Sequence, residues 1–555
     1  MSVKRKKSLY LQLEKNKNQN HQFNTHHLVM EPIKMAAAGA VAVMALLGAC
    51  TGTTGHQDSN GEADSAQAVV DTVALPDTTL ASAAELTFTV EVLDSATSGV
   101  ITDFTCPYDT VVGVFTFRGS SRRDAPFTGT VQGTPSRIVR DWVFVTDYDD
   151  TKTKLGTWGG GTGWTGQPLY VKWSEAQAAA FRRTSPGLTP DFGQEEIMVG
   201  SLCGRVYFLD FATGKPSRQP IVAGNPIKGT ISLDPALNGS LYVGQGVPAD
   251  PQVGHLAIDL NRHERAFFHG PDPKAQRHWN TYDSSPAVAG QFLFWPGENG
   301  TIYKYVRLGN GRLRLHSTLR YRAGGAAPGV ENSMCIYKNY GYFGDNHGHV
   351  LCVNLNTMKP VWHYNNHDDI DGSLVLEVDN GVPFLYCGCE VDRQGDSGTC
   401  HLVKLNGLDG SRVWERTFDC HKLTLDGKHF DGGLYCTPLL GRGDCEGLLM
   451  ANICQQGDEN RARFTALDRR TGEVVYSTPL NYFSWTSPVG FLNERKELFV
   501  VTGDTSGNLY LIRGKTGEIL FRQHMANNFE SSPVVVGNSL VVGSRGQEIY
   551  RFHIE

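Results

Sequence analysis

Residues 529–544 read FESSPVVVGNSLVVGS, and a third alternating run, EIYRF, follows at residues 548–552. Short apolar runs that are joined by tight turns such as Gly-Asn are typical of antiparallel strands. The same pattern recurs upstream through most of the chain. Because repetition at blade-sized intervals is the mark of propellers and related repeat folds, this stretch predicts the architecture before it suggests any chemistry.

Each repeat opens on a turn of small residues, which is Ser-Pro in its clearest copies. A glycine turn and an alternating strand come later, as in GNLYLI at residues 507–512, and then a Thr-Gly turn and a strand that ends in an aromatic residue, as in TGEILF at 516–521. The eight openings begin at Thr165, Lys228, Asp283, Glu331, Asp371, Tyr435, Trp485 and Glu530. The longer intervals after the first, second and fifth openings predict insertions, and Glu175–Arg183 has the composition of a helix.

This cycle resembles the PQQ-like (quinoprotein-type) β-propeller repeat over about residues 113–555, and Phe117-Arg118-Gly119 is similar to a short motif that often precedes the first blade in that group. The resemblance implies an all-β fold, an eight-bladed β-propeller of four-stranded antiparallel blades. The eighth repeat ends after three strands, whereas Ile138–Val145 is a strand without a partner before the first repeat. We expect these two to pair, because ring closure removes exposed sheet edges.

The chain before the propeller divides into three parts. Residues 1–50 are predicted to be a leader and a lipoprotein signal peptide, residues 51–85 a disordered tether without aromatic side chains, and residues 86–112 a small amino-terminal extension. Leu86–Val92 alternates as a strand does, although its place in the fold cannot be read from the pattern.

The signal peptide is an apolar run from Met35 to Ala49, which is short for a membrane span. Its end, Leu47-Gly48-Ala49-Cys50, resembles the lipobox of bacterial lipoproteins, which implies that Cys50 is lipidated; a plain secretory signal is the alternative. The basic leader favours translation from Met30, with Met1 and Met35 as the other candidate starts.

Charge and cysteine content narrow the classes of function. A formal net charge of -6, without a basic stripe in the folded part, argues against a nucleic-acid-binding protein. Of the 12 cysteines, most lie between Cys335 and Cys454. In an exported protein, Cys389 with Cys400 or Cys436 with Cys454 could form disulfides, and buried reduced cysteines are an equal alternative.

The openings also predict a binding site. The first strand of a propeller blade lies nearest the axis, so the first residues of the openings should surround one mouth of the channel. An acidic and aromatic funnel of this kind suits a cationic or sugar-like ligand, although acidic residues also cap turns. The predicted mouth residues are Asp283, Glu331, Asp371, Glu530, Lys228, Tyr435, Trp485 and Trp164.

No sequence motif identifies a cofactor or a catalytic residue. The resemblance raises pyrroloquinoline quinone (PQQ) with calcium, but the adjacent cysteine pair common in quinoprotein alcohol dehydrogenases is missing, and Cys387-Gly388-Cys389 comes nearest to it. His347-Gly348-His349 with His367-Asp368-Asp369 could ligate a metal, although histidines in turns are ordinary. We therefore expect neither a cofactor nor a metal.

The sequence thus favours a non-catalytic, lipid-anchored, monomeric propeller in the bacterial cell envelope, at the periplasmic or surface face of the outer membrane. It would act as a protein-binding or assembly scaffold for envelope or outer-membrane proteins. Its architecture is similar to that of the propeller lipoprotein of the outer-membrane barrel-assembly machinery. The alternatives are a quinone-dependent or sugar-modifying enzyme and a surface lipoprotein that binds a glycan or solute.

Overall fold

The computed structural model describes residues 86–126, 130–153, 156–249, 251–425 and 428–555. Cys50, the signal peptide and the tether lie outside these residues, and the predictions made for them stay predictions. Within the described ranges, no helix is long and apolar enough to span a membrane. The strands group into eight sheets of four or five strands, apart from some short additions, and form the eight-bladed propeller that the repeats predict.

Four strands precede the first complete blade, and each joins a sheet formed by later residues. A 3₁₀ turn at Phe117–Gly119 lies between the second and the third of them. The strands are β1 (Leu86–Val92), β2 (Gly113–Val114), β3 (Thr130–Val131) and β4 (Ile138–Val145).

Blades 1 to 4 follow in chain order, each with its strands antiparallel and in sequence across the sheet. Blade 1 has β5 (Leu169–Lys172), β6 (Glu195–Gly200), β7 (Arg205–Asp210) and β8 (Pro216–Val222). Blade 2 has β9 (Ser232–Leu233), β10 (Ser240–Gly244), β11 (His255–Asp259) and β12 (Glu264–His269). Blade 3 has β13 (Ala287–Ala289), β14 (Phe292–Pro296), β15 (Thr301–Gly309) and β16 (Arg312–Ala323). Blade 4 has β17 (Cys335–Tyr337), β18 (Tyr340–Gly344), β19 (His349–Asn354) and β20 (Lys359–Asn365).

Blades 5 to 8 complete the ring. Blade 5 has β21 (Val375–Asp379), β22 (Val382–Gly388), β24 (Ser397–Asn406) and β25 (Arg412–His421), with β23 (Glu390–Val391) in a loop between its second and third strands. Blade 6 is preceded by β26 (Leu423–Leu425), β27 (Lys428–Phe430) and β28 (Gly432–Gly433), and has β29 (Leu439–Leu440), β30 (Leu448–Cys454), β31 (Ala462–Asp468) and β32 (Val474–Pro479), with a 3₁₀ turn at Gly443–Cys445. Blade 7 has β33 (Val489–Asn493), β34 (Leu498–Gly503), β35 (Asn508–Arg513) and β36 (Ile519–His524). Blade 8 has β37 (Val534–Val536), β38 (Ser539–Gly543) and β39 (Glu548–Ile554), and β4 is its fourth strand.

Ring closure occurs as predicted. Strand β4 pairs antiparallel with β39, from Ile138 opposite Ile554 to Val145 opposite Glu548. Blade 8 therefore contains both the last strand of the chain and one of its first. A hydrophobic cluster that includes Val541 and Ile549 of blade 8 and Ile197 of blade 1 packs the closing blade against its neighbour.

Two of the three predicted insertions are present as added secondary structure, whereas the interval after the second opening contains only the four strands of blade 2 among its described residues. Helix α1 (Glu175–Thr184) lies between β5 and β6, and Ser174 caps it in a reciprocal capping box with Gln177. The hairpin β26–β27 and the short strands β23 and β28 account for the long interval after the fifth opening.

The amino-terminal extension adds a strand to blade 3. Strand β1 pairs with β16 from Leu86 opposite Ala323 to Val92 opposite Ser317. Blade 3 thus has five strands, and its outer edge is covered by the chain's own backbone.

The cysteines of the described residues, from Cys106 to Cys454, are free thiols. Neither Cys389 with Cys400 nor Cys436 with Cys454 forms a disulfide; Cys436 Sγ instead contacts the Asn452 amide, and Cys454 Sγ contacts the Ser484 carbonyl. Most of these thiols are buried and act as small apolar side chains, the alternative that the sequence left open.

Candidate binding site at the channel mouth

All eight opening turns lie directly before the innermost strand of a blade, because each of these strands begins four residues after the first residue of its opening. Most third residues of the openings carry a hydroxyl group that accepts a hydrogen bond from the backbone of the preceding blade. The bonds run from the amides of Gln167, Ser285, Ser333, Thr437 and Ser487 to the hydroxyls of Thr230, Ser333, Ser373, Ser487 and Ser532, at 2.8–3.3 Å. Gln167 Nε2 donates to the Pro533 carbonyl at 2.8 Å and so joins blade 1 to blade 8. This ring of polar contacts explains why Ser or Thr recurs in the openings.

The Phe117–Gly119 turn plugs the channel beneath this ring. Arg118 is fully buried and donates to the carbonyls of Pro438 and Pro488, at 3.0 and 2.5 Å, which are the fourth residues of two openings. Arg123 donates in the same way to the Ser285 and Met334 carbonyls, at 2.9 and 3.0 Å. Arg118 and Arg123 thus connect blades 3, 4, 6 and 7 to one segment at the axis, which we call the plug. The plug forms the floor of the mouth.

Burial lowers the pKa of the Arg118 guanidinium to about 10, so it stays charged at neutral pH. Backbone carbonyls solvate this charge in place of water. Arg118 also adopts a left-handed conformation, with φ of 58°, that its backbone hydrogen bond to the Gln167 side chain helps to hold. The Phe117-Arg118-Gly119 motif therefore has a structural role, because it connects several blades through Arg118.

The mouth residues predicted from blades 2, 3 and 4 form one electrostatic cluster. Lys228 makes an ion pair with Asp283 and lies 4.0 Å from Glu298. Carboxylate oxygens of Asp283, Glu298 and Glu331 all lie within 4.8 Å of one another. Gly246 covers the pair, since a Cβ there would lie 2.4 Å from Asp283 Oδ1.

The carboxylates of this cluster are hard to ionise together. Burial raises the pKa of Asp283 to about 6. The charge of Lys228 opposes this increase, and the charge of Glu331 adds to it. Burial and the neighbouring charges of Glu298 and Asp371 raise the pKa of Glu331 well above its usual range. The ammonium of Lys228 loses stability through burial, but the surrounding carboxylates raise its pKa overall. The carboxylates therefore tend to retain protons, which a bound cation would displace.

The acidic surface continues into blade 5. Asp371 interacts electrostatically with both Glu331 and Asp369, and burial together with Asp371 raises the pKa of Asp369 well above its usual range. Beyond them, Lys422 bridges Asp392 and Asp431 at 3.5 and 3.2 Å. Carboxylates therefore outnumber the cations on this side of the described mouth.

The aromatic residues lie on another side. The rings of Tyr435 and Trp485 are 5.5 Å apart, and Trp485 is also 5.5 Å from Phe483. Trp164 packs against the same hydrophobic cluster although it precedes the opening of blade 1. The three predicted aromatic residues thus share one cluster.

Glu530, the predicted residue of blade 8, is buried and faces a cation. Its carboxylate lies 3.8 Å from Arg545 and accepts a hydrogen bond from Asn528 at 3.2 Å. The Arg545 guanidinium lies over the Trp158 ring, 5.5 Å from its centroid. Glu530 is therefore neutralised within the protein and is separate from the acidic cluster of blades 2 to 5.

The sequence analysis missed a second set of mouth residues. The residue two positions after each second strand lies on the loop to the third strand, at the same end of the blade as the openings. These residues are Leu202, Gly246, Glu298, Asn346, Glu390, Gln456, Thr505 and Arg545. The repeats carry a signal for these residues, because the second strands end at equivalent positions.

A quinone with calcium does not fit the residues present. The three carboxylates are oxygen donors of the kind that Ca²⁺ prefers, but a calcium ion there would have to displace Lys228 from Asp283. Cys387 and Cys389 are buried thiols rather than a disulfide beside an open pocket.

The repeated openings, the eight blades and the closing strand β4 define an eight-bladed β-propeller, whose repeats are similar to those of the PQQ-like group. A family model described as outer membrane protein assembly factor BamB matches residues 460–555, which span β31 to the end of the chain. No curated protein matches the chain.

Solved structures of the same architecture are distant in sequence. Quinohemoprotein alcohol dehydrogenase from Comamonas testosteroni has 11% identity and a TM-score of 0.55, over 80% of each chain. The enzyme ADHIIG from Pseudomonas putida HK5 has 11% identity and a TM-score of 0.51, over 81% of each. BamB from Moraxella catarrhalis has 13% identity and a TM-score of 0.46, over 75% of this chain and 100% of that one. The TM-scores of the two dehydrogenases show a shared fold, and identities of 11% show nothing about a shared activity.

Proposed function

We propose that this protein is a non-catalytic scaffold of the bacterial cell envelope whose acidic mouth binds a cationic segment of a partner protein. The observation that carries the proposal is the cluster of Asp283, Glu298, Glu331 and Asp371 above a plugged floor. With Arg118 and Arg123 bonded to four blades beneath it, the mouth presents a surface for binding.

The chemistry of the mouth favours binding over catalysis. A general acid or base needs an opposing group to act with, and a nucleophile needs an activating base. Paired carboxylates can also act as a general acid and a nucleophile, but here Asp283 is held in an ion pair with Lys228, and this occupied carboxylate favours binding. A Lys or Arg side chain of a partner would relieve the repulsion between these carboxylates, and the binding free energy would come from that relief.

The family match supports an envelope scaffold, because the matched family is described as an outer-membrane assembly factor. The proposed lipid on Cys50 and the tether of residues 51–85 would hold the ring near a membrane while leaving the mouth accessible. Envelope or outer-membrane proteins are the proposed partners.

The proposal is tested with a lysine-rich peptide and the purified full chain. We expect salt-sensitive binding that weakens about fivefold for each of Glu331→Gln and Asp371→Asn, since a partly exposed ion pair contributes up to about 1 kcal/mol. Asp379→Asn is the matched control, because Asp379 ends the same inner strand that Asp371 precedes and is exposed at the opposite end of the blade. Equal loss in the control, or no loss in the mouth variants, would contradict the proposal.

An aromatic cluster of Trp164, Tyr435 and Trp485 favours a second candidate, a site for a glycan. Aromatic faces stack on sugars; Trp164 is the partly exposed ring of the three, and its indole N–H has no hydrogen-bond partner among the described residues. This reading predicts binding that depends on Trp485 and is insensitive to salt.

A further inference from the structure

Two histidines and a glutamate come together on the outer part of blade 5, away from the carboxylate cluster of the mouth. His367 lies in the loop before blade 5, His401 on β24 and Glu415 on β25. One donor atom from each lies within 4.8 Å of the other two. The sequence offered His367 together with His347 and His349, but His347 instead contacts Arg393, and His349 Nδ1 lies 3.3 Å from Asp345.

We propose that His367, His401 and Glu415 form a binding site for a divalent transition-metal ion, with Zn²⁺ as the expected ion. Two imidazoles and one carboxylate are a donor set that zinc accepts in proteins, with a fourth position left for water. Mg²⁺ and Ca²⁺ prefer oxygen ligands, so the two imidazoles disfavour them.

The sheet itself brings two of the ligands together. His401 pairs with Thr417 across β24 and β25, so Glu415 is its diagonal neighbour on the same face. The His401 Nδ1 atom lies 2.6 Å from Glu415 Oε1, and their side chains are 17% and 20% exposed. This pair is held by backbone register and needs no loop to position it.

The third ligand is held by its own loop. His367 has a left-handed backbone, with φ of 73°, and its amide donates to the Asn365 side chain at 2.8 Å. The next residue toward the amino terminus, Asn366, donates its side-chain amide to the His401 carbonyl at 3.0 Å. As a result, the rings of His367 and His401 lie 4.2 Å apart.

Little movement is needed to bind an ion. Ligands at about 2.0–2.1 Å from a tetrahedral metal lie roughly 3.3 Å apart. Binding therefore requires side-chain rotation of the exposed His367 and a slight opening of the 2.6 Å contact between His401 and Glu415, whose hydrogen bond the metal would replace. The principal competitor is Arg412, which makes an ion pair with the other oxygen of Glu415.

The test is a Zn²⁺ titration of the full chain against a chromophoric chelator. We expect one zinc equivalent that is lost or weakened at least about tenfold in His367→Ala and His401→Ala, since even outer-shell changes cost that much. Replacing Arg412 with Ala should tighten binding, because it frees the Glu415 carboxylate, whereas a purely structural role for these residues would not produce this gain. Arg412 is about half exposed, so that variant should fold.

His524→Ala is the control, because His524 is an exposed histidine at the end of β36 in blade 7. Histidines elsewhere in the chain, including His26 and His27 near its amino terminus, contribute equally to every variant. Co²⁺ substitution adds a second readout, since a protein site of this kind gives a visible absorption band that should disappear in His367→Ala. Equal stoichiometry and affinity in wild type, His367→Ala and His524→Ala would overturn the proposal.

Discussion

Replacing Arg118 with Ala should destabilise the ring far more than replacing any exposed arginine. Arg118 is 1% exposed, and its guanidinium donates to the Pro438 and Pro488 carbonyls of blades 6 and 7. A hydrogen bond from a charged group contributes about 1.5–3 kcal/mol. Loss of both bonds, with two buried carbonyls left without this donor, should lower the free energy of unfolding by about 3–5 kcal/mol.

The assay is urea unfolding followed by tryptophan fluorescence, with the slope of the transition checked for two-state behaviour. Arg118→Lys should recover roughly half of the loss, because one ammonium can reach one carbonyl in place of two. Arg122→Ala is the matched control from the same segment. Its ion pairs with Asp109 and Asp124 are partly exposed, so it should cost no more than about 1 kcal/mol.

A loss below about 1 kcal/mol in Arg118→Ala would refute the reasoning, because it would mean that the carbonyls are satisfied without Arg118. A loss as large in Arg122→Ala would show that the whole segment, and not the buried guanidinium, holds the plug in place.

Three further predictions concern closure, charge and aromatic contacts. Truncation after Phe529 removes the strands that Ile138–Val145 completes, so we expect no cooperative thermal transition by circular dichroism; a soluble, cooperatively folding product would contradict ring closure. The folded-state pKa of Asp283 is raised from 3.8 to about 6, so its contribution to stability is present below pH 4 and is lost as pH rises through 6. The change in the free energy of unfolding caused by Asp283→Asn should therefore be more favourable at pH 8 than at pH 4, by up to about 3 kcal/mol in urea unfolding. The loss of the ion pair with Lys228 reduces this gain. An equal effect at both pH values would exclude this account. Trp485→Ala should abolish glycan binding without unfolding the ring if the aromatic cluster is a sugar site, as a glycan array and a thermal melt would show; unchanged glycan binding would remove that candidate.

The fold was predictable because the same strand-and-turn pattern occurs eight times in the sequence. Each copy alone is a weak signal for a blade, but openings such as those at Asp283 and Trp485 recur at blade-sized intervals. The last copy contains only three strands, and Ile138–Val145 was the unpaired strand that could complete it. Strand β1 was recognised as a strand, yet its place on blade 3 was not, because a single alternating segment fits any open edge equally well.

The site was predictable only in part. First-position residues such as Asp283 and Glu331 followed from the alignment, and the structure adds Glu298, which sits on a different loop of the same blade. Arg118 and the His401 pair with Glu415 were beyond reach, because their partners are set by the curvature of the ring and by strand register. The charge of Glu530 gave no hint that Arg545 would neutralise it.

The most direct test of the proposed function is site-specific photocrosslinking in intact envelopes. A photoreactive residue at His278, exposed beside Arg277 at the acidic cluster, should capture a partner through a lysine- or arginine-rich segment, and one at Asn380, at the opposite end of blade 5, should not. We predict that Glu331→Gln with Asp371→Asn abolishes the crosslink from His278. The same crosslink from both positions, or one that persists without these two carboxylates, would contradict a partner-binding acidic mouth.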